Sequence, residues 1–162
     1  MKLTTTILAM VSAVALLAAC ETAPNKDGSA NGAGGANGMS GALGTGAGEL
    51  AHGVPDRIFF DLDSSVVNSD GQATLKTQAD WLKKNSSVNV TVEGHCDERG
   101  TREYNLALGE RRASAAKNYL VSLGVSASHI QTVSYGKERP AVVGSDESAW
   151  SQNRRAVTLT AN

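Results

Sequence analysis

Val88-Asn89-Val90-Thr91-Val92-Glu93-Gly94-His95-Cys96-Asp97-Glu98-Arg99-Gly100-Thr101 holds a strand, its end and the loop that follows in one run. Residues 88–92 alternate and are rich in β-branched side chains, which predicts a strand. The charged loop gives way to Tyr104–Leu123, the longest stretch with helical spacing. Gly124 closes it at the position where a helix stop is wanted. A strand that runs through a loop into a helix is where α/β folds gather ligand groups.

Outward from this run the pattern repeats. Arg57–Phe60 predicts a short strand, and Asn68–Asn85 a helix with Leu75, Ala79 and Leu82 on one side, capped by Asn68 or Ser69. Ile130–Tyr135 predicts a strand ended by Gly136, Asp146–Gln152 a short helix, and Ala156–Thr160 a last strand. The order β-α-β-α-β-α-β over residues 54–162 predicts one α/β sandwich, long enough for a true core. No internal repeat is present.

The long helix carries one anomalous residue. At 100° per residue, Leu108, Ala115, Ala116, Tyr119 and Leu123 form the stripe expected to face the sheet, and Arg112 falls at its centre. Desolvating a guanidinium costs several kcal/mol unless its charge is compensated, so Arg112 requires an anionic partner. Asp97 or Asp61 could supply it within the protein; a ligand could supply it from outside. Asp97 lies in the loop that follows the strand. With Arg112 it offers one carboxylate and one guanidinium, a pair suited to a zwitterion such as an amino-acid head group.

The chain is built of unlike parts. Lys2 gives a basic start, and residues 7–19 are uncharged and mostly apolar, too few for a spanning helix, which needs about 20. Residues 1–19 therefore predict a signal peptide. Leu17-Ala18-Ala19-Cys20 resembles a bacterial lipobox, in which Cys20 is lipidated and becomes the mature N-terminus. Several acyl chains on one residue would anchor it firmly. Glu21 is not the Asp that retains lipoproteins in the inner membrane, which points to the outer membrane. Residues 20–53 are rich in Gly, Ala, Asn and Ser and predict a flexible tether. Its typical span is about 30 Å and its taut limit about 110 Å. A tether between an anchor and a domain implies something to be reached.

The run 92–101, with Glu103-Tyr104-Asn105 and Leu108-Gly109-Glu110-Arg111-Arg112-Ala113, resembles the OmpA-like peptidoglycan-binding domain family. Phe60-Asp61-Leu62-Asp63, Val133 to Ala141 and Asn153-Arg154-Arg155-Ala156-Val157 are similar to further motifs of that family. Asp-Glu-Arg-Gly-Thr, lipobox and tether together resemble its lipid-anchored branch. The resemblance implies an α+β sandwich of βαβαβ type, with a mixed sheet and helices on one side. It implies non-covalent binding of meso-diaminopimelate in the peptidoglycan stem, with Asp97 at the amino group and Arg112 at the carboxylate. Phe60, Asp61, Arg99, Thr101 and Leu108 would line the pocket, with Asn105 and Arg154 in support. No cofactor is implied beyond the lipid on Cys20. TolB and other Tol-Pal components would be partners, in envelope integrity and cell division. Cys96 stands where relatives carry Ala or Thr, and is expected to be a buried, inert thiol.

Other chemistries find less support. The formal net charge of −1 and the 4% aromatic content argue against nucleic acid. His95, Cys96 and Asp97 are consecutive on a strand end, so they should alternate in direction and not converge as a catalytic set. His95, Cys96 and His129 lack the spacing of a zinc site. Trp81 and Trp150 are expected to pack in the core or at its rim. A wall-cleaving enzyme using Glu93 and Asp97 would need a long cleft on a small domain. A lipoprotein that binds only other proteins, with Arg112 in a salt bridge, is the remaining alternative.

Overall fold

The computed structural model describes residues 47–48 and 50–161. The expected signal peptide, Cys20 and the tether up to residue 46 lie outside the described residues. The elements are β1 (Ala47–Gly48), β2 (Arg57–Phe59), α1 (Ser69–Lys84), β3 (Asn89–His95), α2 (Arg102–Ser122), β4 (Ile130–Gly136), α3 (Glu147–Asn153) and β5 (Arg155–Ala161).

The helices start where their caps dictate. Asn68 Oδ1 accepts from Gly71 N at 2.9 Å, Thr101 Oγ1 from Tyr104 N at 3.2 Å, and Asp146 Oδ1 from Ala149 N at 2.9 Å, each satisfying a donor left open in a first turn. Gly124, at φ +94°, ends α2 in the left-handed conformation that glycine adopts without strain.

The folded domain begins earlier than the expected boundary at Val54. Strand β1 pairs antiparallel with Ala161 and Thr160, and Leu50 is buried in the core. Main-chain pairing needs no bulky side chain, so a Gly/Ala-rich stretch can form a strand without showing a strand pattern. Leu50, a lone bulky apolar residue at the end of that stretch, was the available signal.

The sheet is mixed. Strand β5 pairs antiparallel with β3, and β3 pairs parallel with β4. The other edge of β5 is shared, with β2 along its start and β1 along its end. Ile58, Val90, Val92, Ile130 and Ala156 from the sheet meet Leu75, Ala79 and Leu82 of α1 and Ala113, Ala116 and Leu120 of α2 in one core. Both long helices therefore cover the same face. This is the α+β sandwich, mixed sheet and helices on one side, that the family resemblance implies, with the order of elements read from the sequence.

Arg112 does sit at the centre of the buried face of α2, but the face is rotated from the expected stripe. Asn105, Leu108, Gly109, Arg112, Ala113, Ala116 and Leu120 are buried, whereas Ala115, Tyr119 and Leu123 are only partly so. The helix packs against α1 as well as the sheet, and the Tyr119 hydroxyl reaches Gln72 Oε1 of α1 at 3.4 Å. Apolar periodicity averages over the two contacts.

Strand β3 meets α2 backbone to backbone. A Cβ on Gly94 would stand 1.8 Å from the Gly109 carbonyl oxygen, and one on Gly109 would stand 2.3 Å from Ser134 Oγ. Only glycines permit this approach. It seats the first half of α2, which carries Asn105, Leu108 and Arg112, directly on the end of β3. Beyond Gly94 the β3–β4 register shifts, so that His95 aligns with Gly136. Such an irregularity redirects a strand end.

Candidate functional site

At the end of β3 a cleft of about 340 Å³ opens between the β2–α1 loop, the β3–α2 loop and the first turns of α2. Leu62, Asp63, Cys96, Asp97, Arg99, Gly100, Tyr104, Asn105, Leu108 and Arg112 line it. Its chemistry is two carboxylates, Asp63 and Asp97, and two guanidiniums, Arg99 and Arg112, on a mainly apolar wall.

Arg112 is 0% exposed. Its Nε donates to Ser64 O at 2.8 Å, Nη1 to His95 O at 2.8 Å and Nη2 to Asp61 O at 3.1 Å. The Phe60 ring lies beneath it, 5.2 Å from the guanidinium carbon. The salt bridge considered from the sequence is not formed. Asp61 supplies its carbonyl and not its carboxylate, and the Asp97 carboxylate is bound by other cations. Among the described residues, no carboxylate pairs with Arg112 within 4.0 Å. Burial pushes its pKa down, yet a guanidinium remains charged near neutral pH.

Asp97 is 5% exposed. Arg99 holds it with Nη2 at 2.6 Å from Oδ2, and with Nε at 3.2 Å and backbone N at 3.1 Å from Oδ1. Arg154 Nη1 lies 3.5 Å from Oδ2. Burial works to raise the pKa of Asp97. The side-chain and backbone hydrogen bonds from Arg99, the charge of Arg99 and the bond from Arg154 outweigh it, so the pKa lies below the ordinary value. A carboxyl whose pKa is depressed by folding adds stability above its unfolded pKa of about 3.9, and loses it as pH falls through the lower folded value. Asp97→Asn should therefore lose stability at pH 7 and show a flatter decline in acid than the wild type. Urea midpoints from pH 7 down to pH 2 check this. Parallel curves for the two proteins would contradict it.

The loops that carry these groups are tied down. Lys137 Nζ donates to Glu98 O at 3.1 Å and Gly100 O at 2.7 Å, and Asn105 Nδ2 to Arg99 O at 2.7 Å and Thr101 O at 3.1 Å. Arg154 Nε donates to Phe60 O at 3.0 Å and Nη2 to Glu147. On the rim, the Tyr104 hydroxyl donates to Asp63, whose φ of +54° lies in the left-handed region. Asx side chains tolerate that region better than most.

The model of the OmpA family matches residues 59–154 of the chain. The chain belongs to the OmpA family. Its similarity to the peptidoglycan-associated lipoprotein of Rhizobium meliloti (strain 1021) is 50% identity over 161 residues, covering 94% of this chain and 85% of the relative. Identity to the peptidoglycan-associated lipoprotein of Pasteurella multocida (strain Pm70) is 42% over 157 residues, covering 97% of this chain and 98% of the relative. Among solved structures, the peptidoglycan-associated lipoprotein from Burkholderia pseudomallei aligns with a TM-score of 0.64 and 43% identity, over 65% of this chain and 90% of that one. The C-terminal domain of Helicobacter pylori MotB aligns with a TM-score of 0.62 at 21% identity, over 67% of this chain and 85% of that one, which speaks to the fold alone.

Of the positions that the OmpA resemblance marks, the structure brings Asp97, Arg99, Asn105, Leu108 and Arg112 to the cleft wall. Phe60, Asp61, Thr101 and Arg154 do not line it. Phe60 is buried under Arg112, Asp61 and Thr101 are exposed, and Arg154 stands behind Asp97. Thr101 is the N-cap of α2, which fixes the loop and not the cleft surface. Leu62, Asp63, Gly100 and Tyr104 complete the wall. Leu62, Asp63 and Gly100 are selected by the position of their loops and Tyr104 by the first turn of α2, and periodicity carries no such signal.

Cys96 and Asp97 both face the cleft, because β3 ends at His95 and strict alternation ends with it. The Cys96 thiol donates to Asn105 O at 3.3 Å, and burial pushes its pKa up, which keeps it a thiol. His95 is directed elsewhere. It stacks on Tyr135 with 5.6 Å between ring centroids, and its Nε2 lies 3.3 Å from Glu93 Oε2. The three residues do not converge. Among the described residues, no group of three His, Cys, Asp or Glu is placed to hold a metal ion. Trp150 packs at the rim, under Arg99, and Trp81 packs against the core.

Proposed function

We propose that the cleft binds the ammonium-carboxylate end of meso-diaminopimelate in the peptidoglycan stem without covalent bonds. In this reading, Asp97 receives the ammonium and Arg112 the carboxylate. The observation that carries it is the fully buried guanidinium of Arg112, hydrogen-bonded to carbonyls and, among the described residues, paired with no carboxylate within 4.0 Å, on the wall of a cleft that also presents a buried carboxylate. Carbonyl dipoles offset a buried cation only in part, so an incoming carboxylate gains a charge-assisted fork. The apolar wall at Leu62, Tyr104 and Leu108 suits the methylene chain between the two ends of the ligand.

The chain would then hold the outer membrane to the wall through a lipid on Cys20, with the domain in the periplasm. The direction of the fold favours this. Strand β1 joins the sheet beside Ala161 and Thr160, at the end of β3 that starts with Asn89, whereas the cleft lies beyond its other end at His95. The two are separated by the length of β3, about 20 Å. A domain entered from one end of the sheet and binding at the other suits a bridge between two surfaces. The resemblance to the lipid-anchored branch of the family supports TolB and other Tol-Pal components as partners, and a role in envelope integrity and cell division.

Sedimentation of the purified full chain in detergent with intact peptidoglycan sacculi tests the proposal. The wild type should pellet, and Asp97→Asn should lose at least about tenfold in retention, because a buried carboxylate that pairs with an ammonium is replaced by a neutral amide. Release of soluble wall fragments would identify a hydrolase. Neither pelleting nor release would leave a purely protein-binding lipoprotein.

A further inference from the structure

Both oxygens of the Asp97 carboxylate are already engaged, and the two cations on it differ in kind. Arg154 is buried behind the site, with its side chain 8% exposed, and is also tied to Phe60 O and Glu147. Arg99 stands on the cleft side with its side chain 35% exposed. Its guanidinium lies over the face of Trp150, 4.0 Å from the ring centroid, and Trp150 Nε1 is fixed by Glu98 Oε1 at 3.1 Å. Beyond Asp97, the carboxylates of Glu147 and Glu98 act favourably on the Arg99 charge. The guanidinium thus already rests on an aromatic face near two acids, which can hold it when its bonds to Asp97 are given up. A ligand ammonium entering the cleft meets a carboxylate that already carries a guanidinium. With Arg154 already behind the carboxylate, an ammonium would be a third cation on it, and the repulsion is relieved if Arg99 gives way.

This inference rests on the reading of the cleft as an ammonium-carboxylate site. We propose that Arg99 is a displaceable internal counter-ion, which satisfies Asp97 while the cleft is empty and gives up its bonds to Asp97, held on the Trp150 face, when the ligand ammonium takes its place. The backbone N–H of Arg99 can keep its bond to Oδ1 throughout, so the loop need not open. Occupancy by Arg99 keeps Asp97 from being a buried charge without its near partner. It also raises the threshold for entry. A simple amine gains only what Arg99 gives up, whereas a ligand that also places a carboxylate on Arg112 gains a second contact. Arg99 is on this account a specificity-determining residue that lowers affinity.

The prediction has an unusual sign. Arg99→Gln should pellet with sacculi more tightly than the wild type, with the half-pelleting sacculus concentration lowered about fivefold or more, since the competing cation is gone. Arg99→Lys, which keeps a cation on the arm but loses the fork, should fall between the wild type and Arg99→Gln. In the absence of sacculi, Arg99→Gln should melt at a lower temperature than the wild type and Arg99→Lys between them, which separates a folded variant from a damaged one. Trp150→Leu removes the face that would hold Arg99 once it leaves Asp97, so it should weaken retention when Arg99 is present and have little effect in the Arg99→Gln background. If Arg99→Gln is folded but pellets equally or less well, Arg99 is an ordinary contact and the inference is overturned. If the wild type itself does not pellet, the ammonium-carboxylate reading fails first, and this inference with it.

Discussion

Gly94→Ala should cost the domain about 3 kcal/mol or more, at the upper end of what overpacking usually does. Its Cβ would stand 1.8 Å from the Gly109 carbonyl oxygen, a distance that no rotamer change relieves because both partners are backbone. The long helix must move off β3, and Arg112, one turn beyond Gly109, moves with it. For a domain of this size the loss corresponds to more than about 10 °C in Tm. Gly124→Ala is the control. Its φ of +94° is also unfavourable for alanine, but the added Cβ meets nothing closer than Lys83 Cδ at 4.0 Å, so the cost should be about 1–2 kcal/mol. Thermal unfolding followed by circular dichroism separates the two. Equal losses would mean that the close approach of β3 and α2 is not what seats the helix.

Arg112→Met should be nearly as damaging to the fold, and complete in its effect on wall retention. Methionine fills much of the volume but leaves the carbonyls of Ser64, His95 and Asp61 without their donor. A buried group left unpaired costs about 1–3 kcal/mol, while removing a buried charge returns part of the sum, so the net loss should be about 2–4 kcal/mol. The same three bonds join the β2–α1 loop to the end of β3, so the cleft loses one wall with them. Arg112→Lys keeps the charge but cannot serve three carbonyls from one fork, and should fall between. Retention on sacculi well below each variant's melting temperature isolates the ligand contact from the fold. A folded Arg112→Met that pellets like the wild type would reduce Arg112 to a scaffold residue.

These two positions also show what could be read from the sequence. The anomaly of Arg112 was legible because its position on the helix conflicts with its charge, and the helix around it is long and closed by Gly124. What it binds was not legible, since the carbonyl of a loop residue leaves no mark in a pattern of side-chain types. The sequence pointed to Asp61 or Asp97 as internal partners; Asp61 contributes only its carbonyl and Asp97 is held by Arg99 and Arg154. Gly94 and Gly109 showed only as family letters, because a close backbone approach depends on two distant positions at once. The start of the domain was misplaced for a related reason, as β1 pairs through main chain alone. The cleft residues Leu62 and Asp63 come from a loop and Tyr104 from the first turn of α2, and their meeting depends on the tertiary fold.

The most direct test of the zwitterion clamp compares two tripeptides by calorimetric titration of the full chain in detergent. One is L-alanyl-γ-D-glutamyl-meso-diaminopimelate; the other carries L-lysine in the third position, and so keeps the side-chain ammonium but lacks the carboxylate beside it. The diaminopimelate peptide should bind and release the protein from sacculi, and the lysine peptide should bind at least about tenfold more weakly, having nothing to offer Arg112. Equal binding of the two peptides, or binding of neither, would contradict the pairing of Asp97 and Arg112 with the two ends of one zwitterion.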